Sequence, residues 1–279
     1  MSYFARGDQI GDWTIARRIG RGGMGVVYAA QHELIGKRVA IKVIRSELRQ
    51  DPSLVERFVH EARVVNQLTH PSIVDIFHIG WLDDGRVYLV MEFLMARTLA
   101  QHLRDERYAP DRAIELIARL CEPLAVAHAH RVVHRDLKPG NVFVLDDRVK
   151  LIDWGLCAFD DEPGPGTLVG TPRYAAPEQA QGRAVDGRAD IYALGAIAYE
   201  LLFGRVPFAY VEIGDLVRGH LHEAPPPPRD LWREIPVALE ELMIAMLAKD
   251  PAHRPNVGQV QATLAGLDPD ELRARRLAA

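Results

Sequence analysis

The chain has 279 residues, of which 48% are hydrophobic and 26% are charged. This composition allows a large buried core and is not that of a disordered chain, and the length fits one large domain or two small lobes. The formal net charge is only −4, and no basic run dominates the sequence. Nucleic acid and anionic membrane are therefore poor candidates for the principal partner.

The sequence has no recognisable segment for export or for spanning a membrane. The longest apolar stretch, Ile191 to Phe203, is too short to cross a bilayer and contains Glu200. The first eight residues lack the charged-then-apolar pattern of a signal peptide. Cys121 and Cys157 lie far apart with no metal-ligand spacing, which argues against a disulfide framework. These features predict a cytoplasmic protein.

A glycine-rich segment follows the first predicted strand. Residues 13–19 have partial strand character and lead into residues 20–25, which read GRGGMG, and then into the strand-favouring residues 26–28, VVY. A dinucleotide-binding fingerprint would require a helix after the glycines, and an ordinary turn is the other simple interpretation. A glycine-rich hairpin, in contrast, lets backbone N–H groups close over phosphates without side-chain clashes.

The next segment predicts a strand that ends in a lysine, followed by a helix. Residues 39–42 read VAIK, and the simplest alternative is a strand whose terminal Lys42 reaches solvent. Apolar residues then recur near helical spacing from Pro52 to Leu68. Glu61 lies inside this predicted helix, where a solvated glutamate is the ordinary case. Pro71 disfavours helical geometry just before it and so ends the helix.

Two more strands and a long helix follow in the chain. Residues 73–81 and 86–92 are predicted strands, joined by the turn residues Asp83-Asp84-Gly85. Residues 110–131 carry an apolar stripe at helical spacing and predict an amphipathic helix. The N-terminal third is thus predicted to be a small β-rich lobe, and the remainder a helical lobe.

The most informative segment is residues 134–141, which read HRDLKPGN and are followed by Asp153-Trp154-Gly155. Asp136 can accept a hydroxyl proton beside Lys138, while Asn141 and Asp153 can supply oxygen ligands to a magnesium–nucleotide complex. Phosphoryl transfer mostly requires positioned charge around the phosphates. An isolated HRD tripeptide can arise by chance as a helix-end ion pair, but the complete motif at this spacing is hard to reach by chance.

These motifs resemble those of protein kinases, with Trp154 where Phe is usual in the metal-binding motif. The resemblance covers roughly residues 13–265, and the chain is similar to eukaryotic-like (Hanks-type) bacterial serine/threonine protein kinase catalytic domains. It implies a bilobal α+β fold within residues 1–265: an antiparallel sheet with one helix at about 13–92, a hinge at about 92–98 and a mainly helical lobe at about 99–265. Residues 266–279 are then a short C-terminal tail.

The resemblance also implies roles for individual residues. Asp136 and Lys138 would be catalytic, Asn141 and Asp153 would bind Mg²⁺ or Mn²⁺, and Glu61 would pair with Lys42. The residues expected to bind ATP are Ile19, Gly20, Gly22, Gly25, Val27, Ala40, Lys42, Glu61, Met91, Glu92, Leu94 and Phe143.

Further expectations concern the segment that resembles the kinase activation loop, residues 153–178. Thr167 and Thr171 are the candidate phosphorylation sites, and Thr171 is also expected to touch Asp136 and Lys138. Asp190, at the start of a buried helix, is expected to hold the backbone of the catalytic loop. The remaining expectations are a Glu178–Arg254 pair that ties this segment to the lower lobe, and packing of Trp154 near Val65, Ile76 and His134.

The resemblance implies transfer of the γ-phosphoryl group of ATP to Ser or Thr of protein substrates, with autophosphorylation of the activation loop, and leaves the oligomeric state open. Two other classes compete. A small-molecule kinase of similar fold would usually lack the peptide platform at residues 170–178. A non-catalytic binding module would be expected to have lost Lys42, Asp136 or Asp153, and none of these is lost.

Overall fold

The computed structural model describes residues 3–23, 25–48, 52–146, 148–154, 158–159 and 171–277. The chain divides into two compact units, residues 1–96 and residues 97–279, which we call the sheet unit and the helical unit. The boundary lies within the range predicted as the hinge. The predictions for residues 155–157 and 160–170, including Thr167, lie outside the described residues.

The sheet unit contains an antiparallel sheet with strand order β1-β2-β3-β4-β6-β5 and one helix, α1. Its elements are β1 (Gln9–Ile10), β2 (Trp13–Arg21), β3 (Gly25–His32), β4 (Arg38–Ile44), α1 (Pro52–Gln67), β5 (Ile76–Trp81) and β6 (Val87–Glu92). The strands and the helix predicted from the sequence are confirmed, with small differences at their ends.

The sheet unit is held together by apolar residues on the inner strands. Ile41 in β4, Val90 in β6 and Phe58 in α1 are fully buried. Inner strands carry near-continuous apolar runs because both of their faces are covered. At the β5–β6 turn, Gly85 has a φ of +84°, a conformation that favours glycine.

The helical unit begins at Arg97 and contains short strands that carry the chemical motifs. Its elements are β7 (Arg97–Thr98), α2 (Leu99–Asp105), α3 (Pro110–Ala129), β8 (Val132–Val133), β9 (Val142–Val144), β10 (Val149–Leu151), β11 (Ala158–Phe159), α4 (Pro177–Ala180), α5 (Arg188–Phe203), α6 (Ile213–His222), α7 (Pro228–Leu231), α8 (Val237–Met246), α9 (Val257–Ala265) and α10 (Pro269–Leu277). Single 3₁₀ turns occupy Pro139–Asn141, Pro172–Tyr174 and Pro251–His253.

Helix α5 forms the centre of the helical unit. It is apolar on all sides and almost every residue from Ala189 to Leu202 is buried, as expected for a core helix. It packs against α3 and α8, and α3 also contacts α9. The amphipathic helix predicted at residues 110–131 is confirmed, although it ends at Ala129. The helical unit thus presents the start of α5 to the loop that follows α3.

Residues 269–277 lie in the segment predicted from the sequence as a short C-terminal tail. They form α10, which packs on α3 and buries Leu272 to 1% exposure. The Arg275 carbonyl accepts a hydrogen bond from Trp232 Nε1 at 3.3 Å, and Arg273 forms an ion pair with Asp111 at 2.6 Å. Helix α10 therefore packs against the rest of the helical unit.

The fold class predicted from the sequence is confirmed: an antiparallel sheet with one helix, followed by a mainly helical unit. In the described part of the chain, each helix is too short or too polar to be a membrane span.

Candidate active site

The candidate catalytic residues surround Asp136, which lies between β8 and the 3₁₀ turn Pro139–Asn141. The carboxylate of Asp136 is buried, and its Oδ1 accepts a hydrogen bond from the backbone N–H of Thr171 at 3.0 Å. Its Oδ2 accepts one from the ammonium group of Lys138. Lys138 Nζ also donates to Thr171 Oγ1 at 2.8 Å. Asp136, Lys138 and Thr171 therefore meet in one hydrogen-bonded group, as expected from the sequence.

Asn141 joins this group through its amide nitrogen. Nδ2 donates to the Asp136 carbonyl oxygen at 2.9 Å and to Asp136 Oδ2 at 3.2 Å. Because the amide N–H groups are used on Asp136, the carbonyl Oδ1 is the acceptor that remains for a ligand. An oriented amide oxygen of this kind is a suitable ligand for Mg²⁺.

Asp153 follows β10 and is the second predicted metal ligand. It has a φ of +64°, which is rare for a residue other than glycine and is found at sites where surrounding contacts fix the backbone. Among the described residues, no group of three or more His, Cys, Asp or Glu side chains could hold a metal ion. One amide and one carboxylate nevertheless fit Mg²⁺, which usually takes few protein ligands and keeps waters or phosphate oxygens.

The backbone before Asp136 is held by Asp190 at the start of α5. Asp190 Oδ2 accepts from the N–H of His134 at 2.9 Å, and Oδ1 accepts from the N–H of Arg135 at 3.0 Å. Burial alone would raise the pKa of the Asp190 carboxyl, but hydrogen bonds and the nearby imidazoles of His128 and His134 hold it below its ordinary value. Asp190 is therefore an anionic acceptor at this position.

Glu178 and Arg254 form a buried ion pair with two parallel hydrogen bonds. Arg254 Nη1 donates to Glu178 Oε1 at 2.6 Å, and Nη2 donates to Oε2 at 2.8 Å. The same guanidinium group also donates to the carbonyls of Ala248, Lys249 and Arg188. A buried pair of this geometry fixes the position of α4.

The segment between Thr171 and α4 is fixed by side chains of the helical unit. Tyr174 donates its hydroxyl hydrogen to Glu200 Oε2 at 2.6 Å. Burial and the neighbouring Glu200 carboxylate raise the pKa of the Tyr174 hydroxyl, so that it remains a neutral donor. This arrangement holds residues 171–176 beside Asp136.

Trp154 is fully buried in the helical unit. Its ring centroid lies 4.5 Å from that of His134, one of the three neighbours predicted from the sequence; packing near Val65 and Ile76 stays a prediction. The buried Nε1 has no hydrogen-bond partner among the described residues, although a buried indole N–H usually has one.

The sheet unit carries most of the predicted nucleotide-binding residues, and several share one face of the sheet. Val27 in β3 is paired with Lys42 in β4, and Ala40 is paired with Met91 in β6. Directly opposite residues and residues two apart project from the same face of a sheet. Val27, Ala40, Lys42 and Met91 therefore project together, and Gly20 lies opposite Val27.

Lys42 is buried to 9% exposure, and its Nζ lies 5.4 Å from the centroid of the Phe58 ring in α1. Glu61 follows Phe58 by about one helical turn, but its side chain lies outside the described part of the structure. The Lys42–Glu61 pair stays a prediction.

The glycines of the β2–β3 hairpin have different structural environments. A Cβ on Gly25 would lie 2.9 Å from the carbonyl oxygen of Val43, so the close approach of β3 and β4 requires glycine there. At Gly20 and Gly22 the nearest atoms would lie at 3.7 and 3.9 Å, which is ordinary contact. Strand contacts therefore explain Gly25, whereas the phosphate-covering role of Gly20 and Gly22 stays a prediction.

The remaining nucleotide candidates are partly accessible. Ile19 in β2 is 37% exposed. Glu92 ends β6, and Leu94 lies just after it; both are half-buried. Phe143 belongs to the helical unit, where it is half-buried in β9 and paired with Thr98.

Sequence reasoning missed three polar side chains that contact residues around the catalytic loop. Gln179 Nε2 donates to the carbonyl of Arg135 at 2.7 Å, Glu200 accepts from Tyr174, and His128 contacts Asp190. Glu200 could have been found as the single charged residue in the apolar stretch Ile191 to Phe203. His128 and Gln179 have no comparable signal, because polar residues in α3 and α4 are ordinary in sequence.

Comparison with known proteins gives a consistent result. The model of the protein kinase domain family matches residues 13–264. Serine/threonine-protein kinase Pkn1 of Myxococcus xanthus is 42% identical over 257 residues, which are 89% of this chain and 37% of that protein. Serine/threonine-protein kinase PknB of Mycolicibacterium smegmatis is 36% identical over 256 residues, which are 87% of this chain and 40% of that protein.

A third relative, serine/threonine-protein kinase pkn3 of Myxococcus xanthus, is 36% identical over 277 residues, covering 94% of this chain and 51% of that protein. The chain thus spans about two fifths to one half of the length of these relatives. The match confirms the resemblance to bacterial serine/threonine kinase domains. The chain belongs to the protein kinase domain family.

Proposed function

We propose that this chain transfers the γ-phosphoryl group of ATP to Ser or Thr hydroxyls of proteins. The observation that carries the proposal is the convergence of Asp136, Lys138, Asn141 and Thr171 within one hydrogen-bonded group. Such a group combines a proton acceptor, a cation and an amide oxygen within a few ångströms. These are the groups that phosphoryl transfer to a hydroxyl requires.

In the proposed reaction the acceptor hydroxyl oxygen forms a bond to the γ-phosphorus, and the bond from that phosphorus to the β–γ bridging oxygen of ATP breaks. Asp136 orients the hydroxyl and takes its proton. Lys138 balances negative charge on the transferred group, and ADP is the leaving group. The Ser/Thr preference is supported by Thr171, whose hydroxyl accepts from Lys138.

The nucleotide and metal roles are part of the same proposal. Asn141 and Asp153 would hold Mg²⁺, with Mn²⁺ as a substitute, and the metal would neutralise charge on the phosphates when bound. In the sheet unit, Lys42 would pair with ATP phosphates beneath Gly20, Gly22 and Gly25. Apolar contacts to the base are proposed for Ile19, Val27, Ala40, Leu94 and Phe143, with Met91 and Glu92 offering backbone groups.

We also propose activation by autophosphorylation at Thr167. Arg135 precedes Asp136, and a phosphate on a nearby threonine would gain charge-assisted hydrogen bonds from a guanidinium group. Thr171 is the weaker candidate because its hydroxyl already accepts from Lys138. Peptide mapping after incubation with ATP should find phosphate on Thr167, and an unmodified segment 160–170 would refute this part.

The proposal places the reaction in the cytoplasm, where ATP is available, and takes proteins as substrates. The near-neutral net charge of −4 gives no support to nucleic acid as a partner.

The test is transfer of γ-labelled phosphate from ATP to casein in the presence of Mg²⁺. The wild-type chain should label Ser and Thr of casein, and Asp136→Asn should lower the rate by about 10²-fold or more, because general base catalysis contributes 10²- to 10⁴-fold. Asp146→Asn, in the exposed β9–β10 turn, is the matched control and should transfer normally.

The outcomes separate the three candidate classes. Label in Ser and Thr that depends on Asp136 supports the proposal. Label only in a small hydroxylated compound would favour a small-molecule kinase. ATP binding without transfer to any acceptor would favour a non-catalytic module, and either of these results overturns the proposal.

A further inference from the structure

Residues 3–8, which we call the strap, lie beside β2 and then cross the face of the sheet opposite to Val27. The Gly7 N–H donates to the Ile15 carbonyl at 2.9 Å, and the Ile15 N–H donates to the Asp8 carbonyl at 2.8 Å. These bonds continue the antiparallel pairing of β1 with β2. Tyr28 directly follows Val27 in β3 and so projects from the face that the strap crosses.

Phe4 anchors the strap over β3. Its backbone N–H donates to the Tyr28 hydroxyl at 3.3 Å, and the two rings meet edge to face with centroids 5.7 Å apart. The guanidinium carbon of Arg86 lies 5.2 Å from the centroid of the Phe4 ring. Phe4 also packs against the buried apolar cluster of the sheet unit, to which Tyr28 belongs. Phe4 therefore fixes where the strap crosses the sheet.

Tyr3, the neighbour of Phe4, contacts two arginines of β2. Its ring centroid lies 5.6 Å from the guanidinium carbon of Arg18 and 5.9 Å from that of Arg21, within the range of cation–π attraction. Residues three apart in a regular strand project from opposite faces. The pairing of β2 with β3 shifts register between Arg18 and Gly20, and this bulge lets both arginines reach the same ring.

The bulge lies beside the glycines that are proposed to cover the phosphates of ATP. Arg21 separates Gly20 from Gly22, and the Gly22 N–H donates to the Gly25 carbonyl at 2.9 Å at the end of the β2–β3 hairpin. Glycine loses more conformational freedom on ordering than any other residue. Contacts from outside the hairpin therefore help to keep its glycines in one position, and Tyr3 supplies two of them from the face opposite to Val27.

We propose that Tyr3 is a positioning residue for the β2–β3 hairpin: by contacting Arg18 and Arg21, it favours the position in which Gly20 and Gly22 cover the phosphates. The part of this inference that concerns ATP rests on the proposed function, whereas the part that concerns the hairpin does not. Tyr3 touches no nucleotide in this scheme. Its effect reaches ATP only through the two arginines.

The binding test compares Tyr3→Leu and Tyr3→Phe in the full chain. Tyr3 is 37% exposed, so both variants should unfold at the temperature of wild type. Leucine removes the aromatic face, and the Kd for ATP should rise about three- to tenfold, because only the covering position of the hairpin binds phosphates fully. Phenylalanine keeps the aromatic face and should bind ATP within about twofold of wild type.

Adenosine separates positioning of the hairpin from general damage to the sheet unit. It has no phosphates for the hairpin to cover, so its Kd should stay within about twofold of wild type in both variants. Equal losses of ATP and adenosine affinity in Tyr3→Leu would show a general structural role and overturn the proposal. Unchanged ATP affinity in Tyr3→Leu, or a loss that Tyr3→Phe shares, would overturn it as well.

The matched control is Phe77→Leu. Phe77 lies in β5, at the opposite edge of the sheet from β1, and the Lys37 Nζ is 4.0 Å from the centroid of its ring. This variant removes a cation–π contact of the same kind at a distance from the hairpin. It should therefore bind both ATP and adenosine as wild type does, and a loss of ATP affinity equal to that of Tyr3→Leu would contradict the proposal.

A second readout needs no nucleotide. Hydrogen exchange at the Gly22 amide should be about three- to tenfold faster in Tyr3→Leu than in wild type, Tyr3→Phe or Phe77→Leu, because its bond to Gly25 opens more often. If the wild-type chain binds no ATP, the proposed function fails, and this exchange alone decides whether Tyr3 holds the hairpin. Equal exchange in wild type and Tyr3→Leu would refute the inference.

Discussion

At the scale of single residues, two buried tryptophans of the helical unit use their N–H groups differently. Trp154 and Trp232 are exposed by 0% and 1%. Trp232 Nε1 donates to the Arg275 carbonyl, whereas Trp154 Nε1 has no partner among the described residues. An unpaired buried donor costs about 1–3 kcal/mol of stability. Trp154 therefore combines favourable apolar burial with an unfavourable polar atom.

Replacing each tryptophan by phenylalanine should expose this difference. Both changes lose ring volume. Trp232→Phe also removes the hydrogen bond to the Arg275 carbonyl, whereas Trp154→Phe removes a donor that has no partner among the described residues. We expect Trp232→Phe to lower the free energy of unfolding by about 1 kcal/mol more than Trp154→Phe. Urea unfolding of both variants measures the difference. A larger loss in Trp154→Phe would mean that its N–H is well satisfied.

Individual residues also show how far the sequence predicts the site. The order and spacing of the kinase motifs along the chain were enough to predict that Asp136, Lys138, Asn141 and Thr171 belong to one site. The structure joins these four residues by hydrogen bonds. His128 could not be predicted, since it meets Asp190 across 62 residues of sequence. Contacts of this kind depend on how two helices cross, which local patterns do not encode.

At the scale of elements, α10 shows where sequence patterns fail. Residues 268–279 are dominated by Asp, Glu and Arg and offer too few apolar residues for a clear helical stripe. The helix nevertheless forms because one leucine, Leu272, is buried and the arginines meet partners on other elements. Most of the stability of a short helix comes from tertiary contacts rather than from local propensity.

Leu272→Ala should therefore destabilise the protein, although the residue lies beyond the segment matched by the family model. A buried Leu→Ala change costs about 2–5 kcal/mol, and we expect the lower part of this range because the site is near the surface. Ile244→Ala in α8 is the control, since Ile244 is 46% exposed; it should cost less than about 1 kcal/mol. Equal thermal unfolding of both variants would show that α10 is not docked.

A second element-level feature is the polar cluster between α5, α6 and the loop after α8. His220 Nδ1 lies 3.0 Å from the Tyr192 hydroxyl, and Lys249 Nζ donates to the carbonyls of Gly219 and His220. Burial, with the positive charge of Lys249, lowers the pKa of His220 from 6.5 to about 4. Burial, with the charge of Arg254, likewise lowers the pKa of Lys249 to about 8.

This cluster predicts a loss of stability in mild acid. Because the folded pKa of His220 lies below the unfolded value, the unfolded chain binds more protons between pH 6.5 and about 4. The contribution of His220 to the free energy of unfolding is complete above pH 6.5 and is lost as the pH falls from 6.5 to about 4. At 1.36 kcal/mol per pKa unit, this contribution is roughly 3 kcal/mol.

The measurement is the free energy of unfolding of wild type and His220→Phe at about pH 7 and about pH 4.5. The variant should be less stable at neutral pH, because the Tyr192 hydroxyl loses its contact with the His220 imidazole. It should lose less stability on acidification. His253→Phe, an exposed histidine near Asp250, is the control and should follow wild type. Parallel pH profiles for wild type and His220→Phe would contradict the account.

At the scale of the whole molecule, the sequence predicted the division into a β-rich part and a helical part because the two have different periodicities. Strands were found where β-branched residues cluster, as in residues 39–44, and helices where apolar residues recur at helical spacing, as in α3. Strand order could not be predicted from these patterns. The placement of β6 between β4 and β5 depends on pairing between segments distant in sequence.

The chain spans only about two fifths to one half of the length of its relatives. The proposed phosphoryl transfer is therefore best tested by measuring the chemical step itself. Single-turnover transfer from ATP to casein, with the ATP dissociation constant measured in parallel, separates chemistry from binding. The account predicts that Asp136→Asn slows the single-turnover rate by about 10²-fold or more while the ATP dissociation constant stays within about twofold of wild type. Equal single-turnover rates for the two proteins would contradict it.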